Sequence, residues 1–314
     1  MGKSSVGGQP RLRLGAVSYL NTKPLVFGLA ERAPQIEIVY DVPSRLADNL
    51  LRGRLDVALI PSIEYSRNPS FAQVSDACIG CRGPVLSVKL FSRKPLPAIR
   101  SLALDEGSRT SVLLAQILLW ERYRLRPRLS QLSIDCGPED TAADAVLLIG
   151  DRAIHPPQSG FVDCWDLGDQ WCRWSELPFV FALWVARPGV DLSGLDEILG
   201  QTRDAGVAHL EQIAHTEAAG VGLSPSQTLS YLRDNLYFYF HRRERRGMEL
   251  FFDLAAQLET LPAEYRLVIT LRYWYNLSYA EMAETLQRIE DAQAKLIVTA
   301  DESMRGGKAV PLKR

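Results

Sequence analysis

The chain has 314 residues, 46% of them hydrophobic and 23% charged, which excludes global disorder and leaves room for about two domains. Its 36 basic and 37 acidic residues leave a net charge of -1, which argues against a protein built to coat nucleic acid or an anionic membrane. No apolar run reaches the length of a spanning helix, and neither a membrane nor a nucleic-acid partner is expected.

Leu12 to Val17 reads as a buried strand, followed by the polar turn Ser18-Tyr19-Leu20-Asn21. Pro24 then sits in the first turn of a helix reaching about Arg32. Ile36 to Tyr40 is a short alternating strand. Ser44 caps a helix through Leu46, Leu50 and Leu51 that Gly53 stops, and Leu55 to Ile60 is a third apolar strand. This β-α-β-α-β order is the signature of a parallel sheet covered by helices. Val85 to Phe91 and Leu102 to Leu104 open a second unit of the same logic, with a helix from Ser111 to Tyr123 and strands at Leu129 to Ile134 and Ala145 to Ile149. The strands ending at Ile60 and Ile149 run into small or polar residues, where open α/β sheets hold ligands. Phe179 to Val185 is the last strand, and Leu195 to Ala256 reads as helical throughout. The character changes after Gln257, where a helical stretch to Gln287 gives way to a glycine-broken segment. The predicted architecture is α/β: a first lobe over 11–92, a second over 93–182, a largely helical return to the first over 183–256, and an atypical tail over 257–314.

Two strand-to-helix turns have the residues of an anion cradle. Ser18-Tyr19-Leu20-Asn21-Thr22 offers hydroxyls, an amide and backbone N–H groups at a helix start. Asp105-Glu106-Gly107-Ser108-Arg109-Thr110-Ser111 offers three hydroxyls, an arginine and a glycine before an apolar helix face, and lacks the lysine of a nucleotide P-loop. On spacing alone each is either an anion site or an ordinary helix cap. Cys78-Ile79-Gly80-Cys81 has the spacing of a zinc or redox pair, but no second pair stands at a matching distance, so no metal is expected. The five cysteines and a polar, glycine-rich start over residues 1–10 predict reduced thiols in the cytoplasm. His155, His209, His215 and His241 show no ligand spacing, and Arg242 to Arg246 reads as a solvated helix face.

From Ser18-Tyr19-Leu20-Asn21-Thr22-Lys23-Pro24-Leu25 onward the sequence resembles the chorismate dehydratases of the futalosine route to menaquinone. The likeness continues through Pro43-Ser44-Arg45-Leu46-Ala47, through residues 53–65, and through Gly83-Pro84-Val85-Leu86-Ser87-Val88. It extends to Ser108-Arg109-Thr110-Ser111, Ile149-Gly150-Asp151-Arg152-Ala153 and Leu177-Pro178-Phe179-Val180-Phe181-Ala182. These stretches cover about residues 11–256. The resemblance implies a fold like the type II periplasmic binding proteins, two α/β lobes with a cleft at the hinge, without a cofactor. It implies conversion of chorismate to 3-[(1-carboxyvinyl)oxy]benzoate and water, a hydro-lyase reaction. It gives Asn21 the catalytic role, Ser87 a carboxylate contact, and Thr110 and Ser111 the other anionic end, with Tyr19, Ser108 and Asp151 also at the cleft. Asp151 is alternatively structural, locking a turn.

The tail resembles something else. Leu261 to Val268, Leu271-Arg272-Tyr273 and Leu277 to Glu284 look like the start of a sigma-factor region 4, and from Arg288 to Lys313 the chain looks like a fragment of an acetyl-CoA synthetase. The base-reading helix and the adenylate site of those families have no counterpart here, so neither activity is expected. Two alternatives stand beside the dehydratase: a non-catalytic small-anion binder on the same scaffold, and a ligand-sensing DNA-binding regulator, against which the absent recognition helix and basic patch count strongly.

Overall fold

The computed structural model describes residues 11–155, 157 and 160–259. It divides the chain into a unit ending at Ala255 and a second beginning at Ala256, of which only the end of the helix Arg242–Glu259 is described. The tail motifs from Leu261 onward lie outside the described residues.

β1 (Leu12–Val17) pairs in parallel with β2 (Ile36–Asp41) on one side and β3 (Val57–Pro61) on the other. Short apolar strands separated by helices make this parallel arrangement, and β3 is buried along its whole length. β4 (Ala72–Cys81) follows, and the chain then leaves for a second sheet. That sheet contains β5 (Val88–Ser92), β6 (Ser101–Asp105), β7 (Arg128–Leu132), β8 (Ala145–Ile149) and β9 (Asp163–Asp166) in the order β7-β6-β8-β5-β9. β10 (Phe179–Ala186) returns to the first sheet, and β11 (Tyr237–Tyr239) adds its last edge, giving the order β11-β4-β10-β3-β1-β2. β10 lies antiparallel to both of its neighbours, β3 and β4. Two sheets joined by two crossings form the two lobes expected.

Several details differ from the sequence reading. The helix expected from Pro24 to Arg32 is two short pieces, Lys23–Val26 and Leu29–Arg32, because Gly28 adopts a left-handed conformation between them (φ 66°). Strand β11 interrupts the stretch 195–256 that reads as helical. The crossings also fall earlier than positions 92 and 182: Val88–Ser92 already pairs in the second sheet, and Phe179 in the first.

The first lobe's core has Leu14, Leu25, Leu46, Leu50 and Leu59 with no exposure, each contributing about 2 kcal/mol of apolar burial. The helix Leu195–Ala208 packs so closely on the segment after Asn21 that a Cβ at Gly206 would lie 2.0 Å from the Pro24 carbonyl oxygen. At the amino end of β3, Asp56 accepts from the Arg13 backbone at 2.9 Å and from both the Arg13 and Arg187 guanidinium groups, at 3.0 and 2.6 Å. Three strands are pinned there by one carboxylate. Cys78 and Cys81 are both buried on β4. No described helix is long and apolar enough to cross a membrane.

Candidate functional site

Strands β1, β6 and β8 end on a common cavity between the lobes. The first lobe contributes Tyr19 and Asn21 from the turn after β1, with Pro43, Pro61 and Phe181. The second contributes Ser108, Arg109, Thr110 and Ser111 after β6, and Ile149 and Gly150 at the end of β8. Val85 and Ser87 come from the crossing segment. The cavity opens to solvent, and its walls are mostly apolar.

The turn after β1 is held from both lobes. The Thr22 backbone N–H donates to the Tyr19 carbonyl at 3.1 Å, closing one turn of 3-10 helix, Leu20–Thr22. The fully buried Thr22 hydroxyl donates to Asn21 Oδ1 at 3.3 Å. With its carbonyl oxygen engaged, the Asn21 amide offers its NH2 group as a hydrogen-bond donor. Leu20 N–H donates across the cleft to the Asp151 carboxylate at 3.1 Å.

Tyr19 stands between the lobes. Its ring lies over Gly150, where a Cβ would come within 2.7 Å of the ring and where φ is +65°, so glycine serves both the conformation and the close approach. The Tyr19 hydroxyl is buried without a hydrogen-bond partner. Burial, then the charges of Asp105 and Asp151, push this phenol's pKa up, so it stays protonated. Asp105, at the end of β6, accepts from the Gly107 and Ile149 backbone N–H groups at 2.9 and 3.3 Å and lies 3.5 Å from Arg152. Burial raises its pKa, and the Arg152 charge opposes that rise.

Ser87 is placed by strain. Leu86 takes a left-handed conformation (φ 63°), unusual for a residue with a Cβ. Asp166 holds it there by accepting from the Val85 and Leu86 backbone N–H groups at 2.9 and 2.7 Å. The Ser87 carbonyl accepts from Gly150 N–H at 2.8 Å, which ties the crossing segment to the end of β8.

In the second cradle, Ser108 Oγ accepts from Ser111 N–H at 3.2 Å, an ordinary capping bond at the start of the helix Thr110–Tyr123. The Thr110 hydroxyl reaches the first lobe. It accepts from Ile63 N–H at 3.3 Å and lies 3.3 Å from Ser62 Oγ, which itself donates to the Val180 carbonyl at 2.8 Å. Ser62 has one proton, so Thr110 is the donor in their shared bond. Arg109 is neutralised by Asp48 and by Glu64, the latter at 3.3 Å.

Six of the seven residues singled out in the sequence, Asn21, Ser87, Thr110, Ser111, Tyr19 and Ser108, line this one cavity. Asp151 does not line it and fits the structural alternative, fixing the Leu20 turn. Sequence reasoning gave no site role to Pro43, Pro61, Phe181 and Gly150, which reach the cleft only through assembly of distant segments. Among the described residues the only ionisable side chains lining the cavity are Tyr19 and Arg109. The arrangement offers hydroxyl, amide and helix N-terminal donors to a small anion, with apolar walls.

Residues 12–257 match the family model described as menaquinone biosynthesis, and residues 251–288 match that of sigma-70 region 4. A chorismate dehydratase of Thermus thermophilus is 31% identical over 261 residues, covering 76% of this chain and 93% of that protein. A 28-residue stretch, 9% of this chain, is 93% identical to 4% of an acetyl-coenzyme A synthetase of Thiobacillus denitrificans. Among solved structures, an Archaeoglobus fulgidus protein superposes with a TM-score of 0.65 at 14% identity, covering 80% of this chain and 98% of its own. The periplasmic aliphatic sulphonate binding protein of Escherichia coli superposes with a TM-score of 0.52 at 14% identity, covering 81% and 89%. The fold is that of the periplasmic binding proteins.

Proposed function

The chain belongs to the menaquinone biosynthesis family, and on that premise we propose that it is a chorismate dehydratase, a cytoplasmic hydro-lyase acting on chorismate without a cofactor. The observation that carries this reading is the cavity's lining: hydrogen-bond donors from both lobes and, among the described residues, no carboxylate or histidine to take a proton. That lining suits a reaction in which the substrate supplies its own base. The C–H bond at the ring carbon bearing the enolpyruvyl ether breaks, and its proton passes to the substrate's enolpyruvyl carboxylate. The electron pair forms a ring double bond as the neighbouring C–O bond breaks, and hydroxyl and proton leave as water. Aromatisation drives the step, so the protein's work is orientation and stabilisation of developing charge.

In this reading the Asn21 NH2 group donates to the reacting part of chorismate. Ser87 holds one carboxylate. Ser111 and the first-turn backbone N–H groups of Thr110–Tyr123 hold the other, since the Thr110 hydroxyl is engaged with Ser62 and Ile63. Tyr19 and Ser108 shape the cleft, and five free thiols accord with a reducing compartment.

The test is to mix the purified full chain with chorismate and follow mass and ultraviolet absorbance. A product lighter by one water, with an aromatic spectrum, is expected. Binding without turnover supports the small-anion binder instead, a reading favoured by the likeness to a sulphonate binding protein. Neither binding nor turnover discards both.

A further inference from the structure

The paired spacing of Cys78 and Cys81 finds no use in the cleft, and the fold keeps these two cysteines apart. Both lie on β4, where three residues of extended chain hold their Cα atoms about 10 Å from each other, beyond the reach of a disulfide. The thiol that Cys81 does meet comes from a distant segment. Cys81 ends β4, opposite Phe179 of β10, just before the chain crosses to the second lobe. Against it lies the helix Leu167–Ser175, which follows β9 and packs on β5, β9 and the helix Thr110–Tyr123. A Cβ at Gly168 would come within 2.7 Å of Cys81 Sγ, 2.9 Å of the Gly83 carbonyl oxygen and 2.9 Å of Val85 Cβ, so only glycine lets helix and crossing segment approach so closely. Cys172 stands one turn further along the same helix face. Its thiol donates to the Cys81 carbonyl at 3.9 Å. Two contacts from one helix face therefore seat Cys172 beside Cys81, across 91 positions of sequence.

The two thiols differ in access and acidity. Cys81 is 1% exposed, whereas Cys172 is part-buried. The Cys81 thiol is pushed up, first by its interaction with Cys172 and then by burial. The same interaction pulls the Cys172 thiol down, against burial and the charges of Asp169 and Asp166. A small oxidant thus meets the more acidic thiol first, with the second held behind it.

We propose that Cys172 and Cys81 are a peroxide-sensitive pair that closes to a disulfide between the crossing segment and the helix Leu167–Ser175. The Cys172 thiolate attacks one peroxide oxygen, the O–O bond breaks, and a sulfenic acid forms as hydroxide leaves. The Cys81 sulfur then attacks the sulfenic sulfur. The S–S bond forms, the S–O bond breaks, and the hydroxyl departs with the Cys81 proton as water. Two thiols are oxidised and one hydrogen peroxide is reduced to two waters, counting the proton that Cys172 released. A thiol reductant reverses the change, as suits a transient disulfide in a reducing compartment. The bond would staple the chain's outward crossing to the helix that precedes its return, and its formation is independent of what the cleft binds.

The experiment treats the reduced full-length protein with hydrogen peroxide without denaturant, then alkylates, digests and maps it. The expected result is loss of two of the five thiols and a linked peptide pair containing Cys81 and Cys172, parted again by dithiothreitol. Cys81→Ser leaves Cys172 as a sulfenic acid that dimedone traps. Cys172→Ser slows oxidation of Cys81 by about tenfold or more, because the attacking neighbour is gone. Peroxide that leaves Cys81 and Cys172 unlinked, or that consumes Cys136 or Cys164 while this pair stays reduced, overturns the proposal. So does oxidation of Cys81 in Cys172→Ser as fast as in wild type. Should either variant fail to fold, the wild-type map decides alone.

Discussion

The first sheet handles polar residues in opposite ways at its two ends. Where β3 begins, Asp56 is bonded by Arg13 and Arg187, and the groups satisfy one another. Where β1 ends, the Tyr19 hydroxyl is buried without a partner, and Ser87 follows a residue held in a strained conformation. Folding free energy explains the first arrangement and is reduced by the second. The contrast separates residues kept for stability from residues kept for what enters the cleft.

Substitutions at the two ends should therefore fail in different assays. The largest effect is expected from Asn21→Ala, which removes a positioned donor and lowers chorismate turnover by about 100- to 1000-fold. Asn21 is only half-buried, so its thermal unfolding curve should overlay that of wild type. A fall in melting temperature comparable to that of a core variant would erase the distinction between the two ends.

Asp56→Asn should give the reverse pattern: a stability loss of about 2 kcal/mol in urea unfolding, with turnover retained by the folded fraction. Burial alone would raise the Asp56 pKa, but bonds from Arg13 and Arg187 outweigh it and hold the carboxyl at about 2, below its ordinary 3.8. A depressed pKa contributes stability above the ordinary value that is lost as pH falls from 3.8 toward about 2. Acid unfolding of the wild type should have a component in that window that Asp56→Asn lacks, because an amide does not titrate there. Identical acid profiles would show that the three-strand cluster is not a stabilising one.

The smallest effect is expected from deleting residues 260–314, beyond the family match that ends at 257. Turnover and KM should be unchanged, as measured with the same chorismate assay. A loss of activity would mean that the tail belongs with the cleft end after all.

The sequence made the cleft more legible than the sheets. Strong apolar runs such as Leu55 to Ile60 and Ala145 to Ile149 announce themselves, as do turns built of hydroxyls and amides between a strand and a helix. β4 escaped because Ala72–Cys81 mixes serine, aspartate, glycine and cysteine and shows little of the β-branched alternation that marks a strand. β11 escaped because three aromatic residues between helices carry no period at all. Of the cleft, Asn21 and Ser111 lie in stretches that advertise themselves, whereas Pro61 and Phe181 look like core residues until the strands are assembled. The bond from Leu20 to Asp151, a contact across 131 positions of sequence, has no local signal at all.

The place of β10 in the first sheet has a consequence for synthesis. β3 and β4 are made early, but they never touch; both pair with β10, which lies between them and is translated only after the whole second lobe. A nascent chain that has emerged through β4 therefore presents two open strand edges facing an empty lane, the kind of template that recruits other chains. The missing strand is separated from them by a connection of about a hundred residues, and closing that loop is cheaper once the second lobe has compacted. Ribosome speed across the second lobe, and any chaperone that shields the gap meanwhile, bear directly on how much of this protein reaches its folded state.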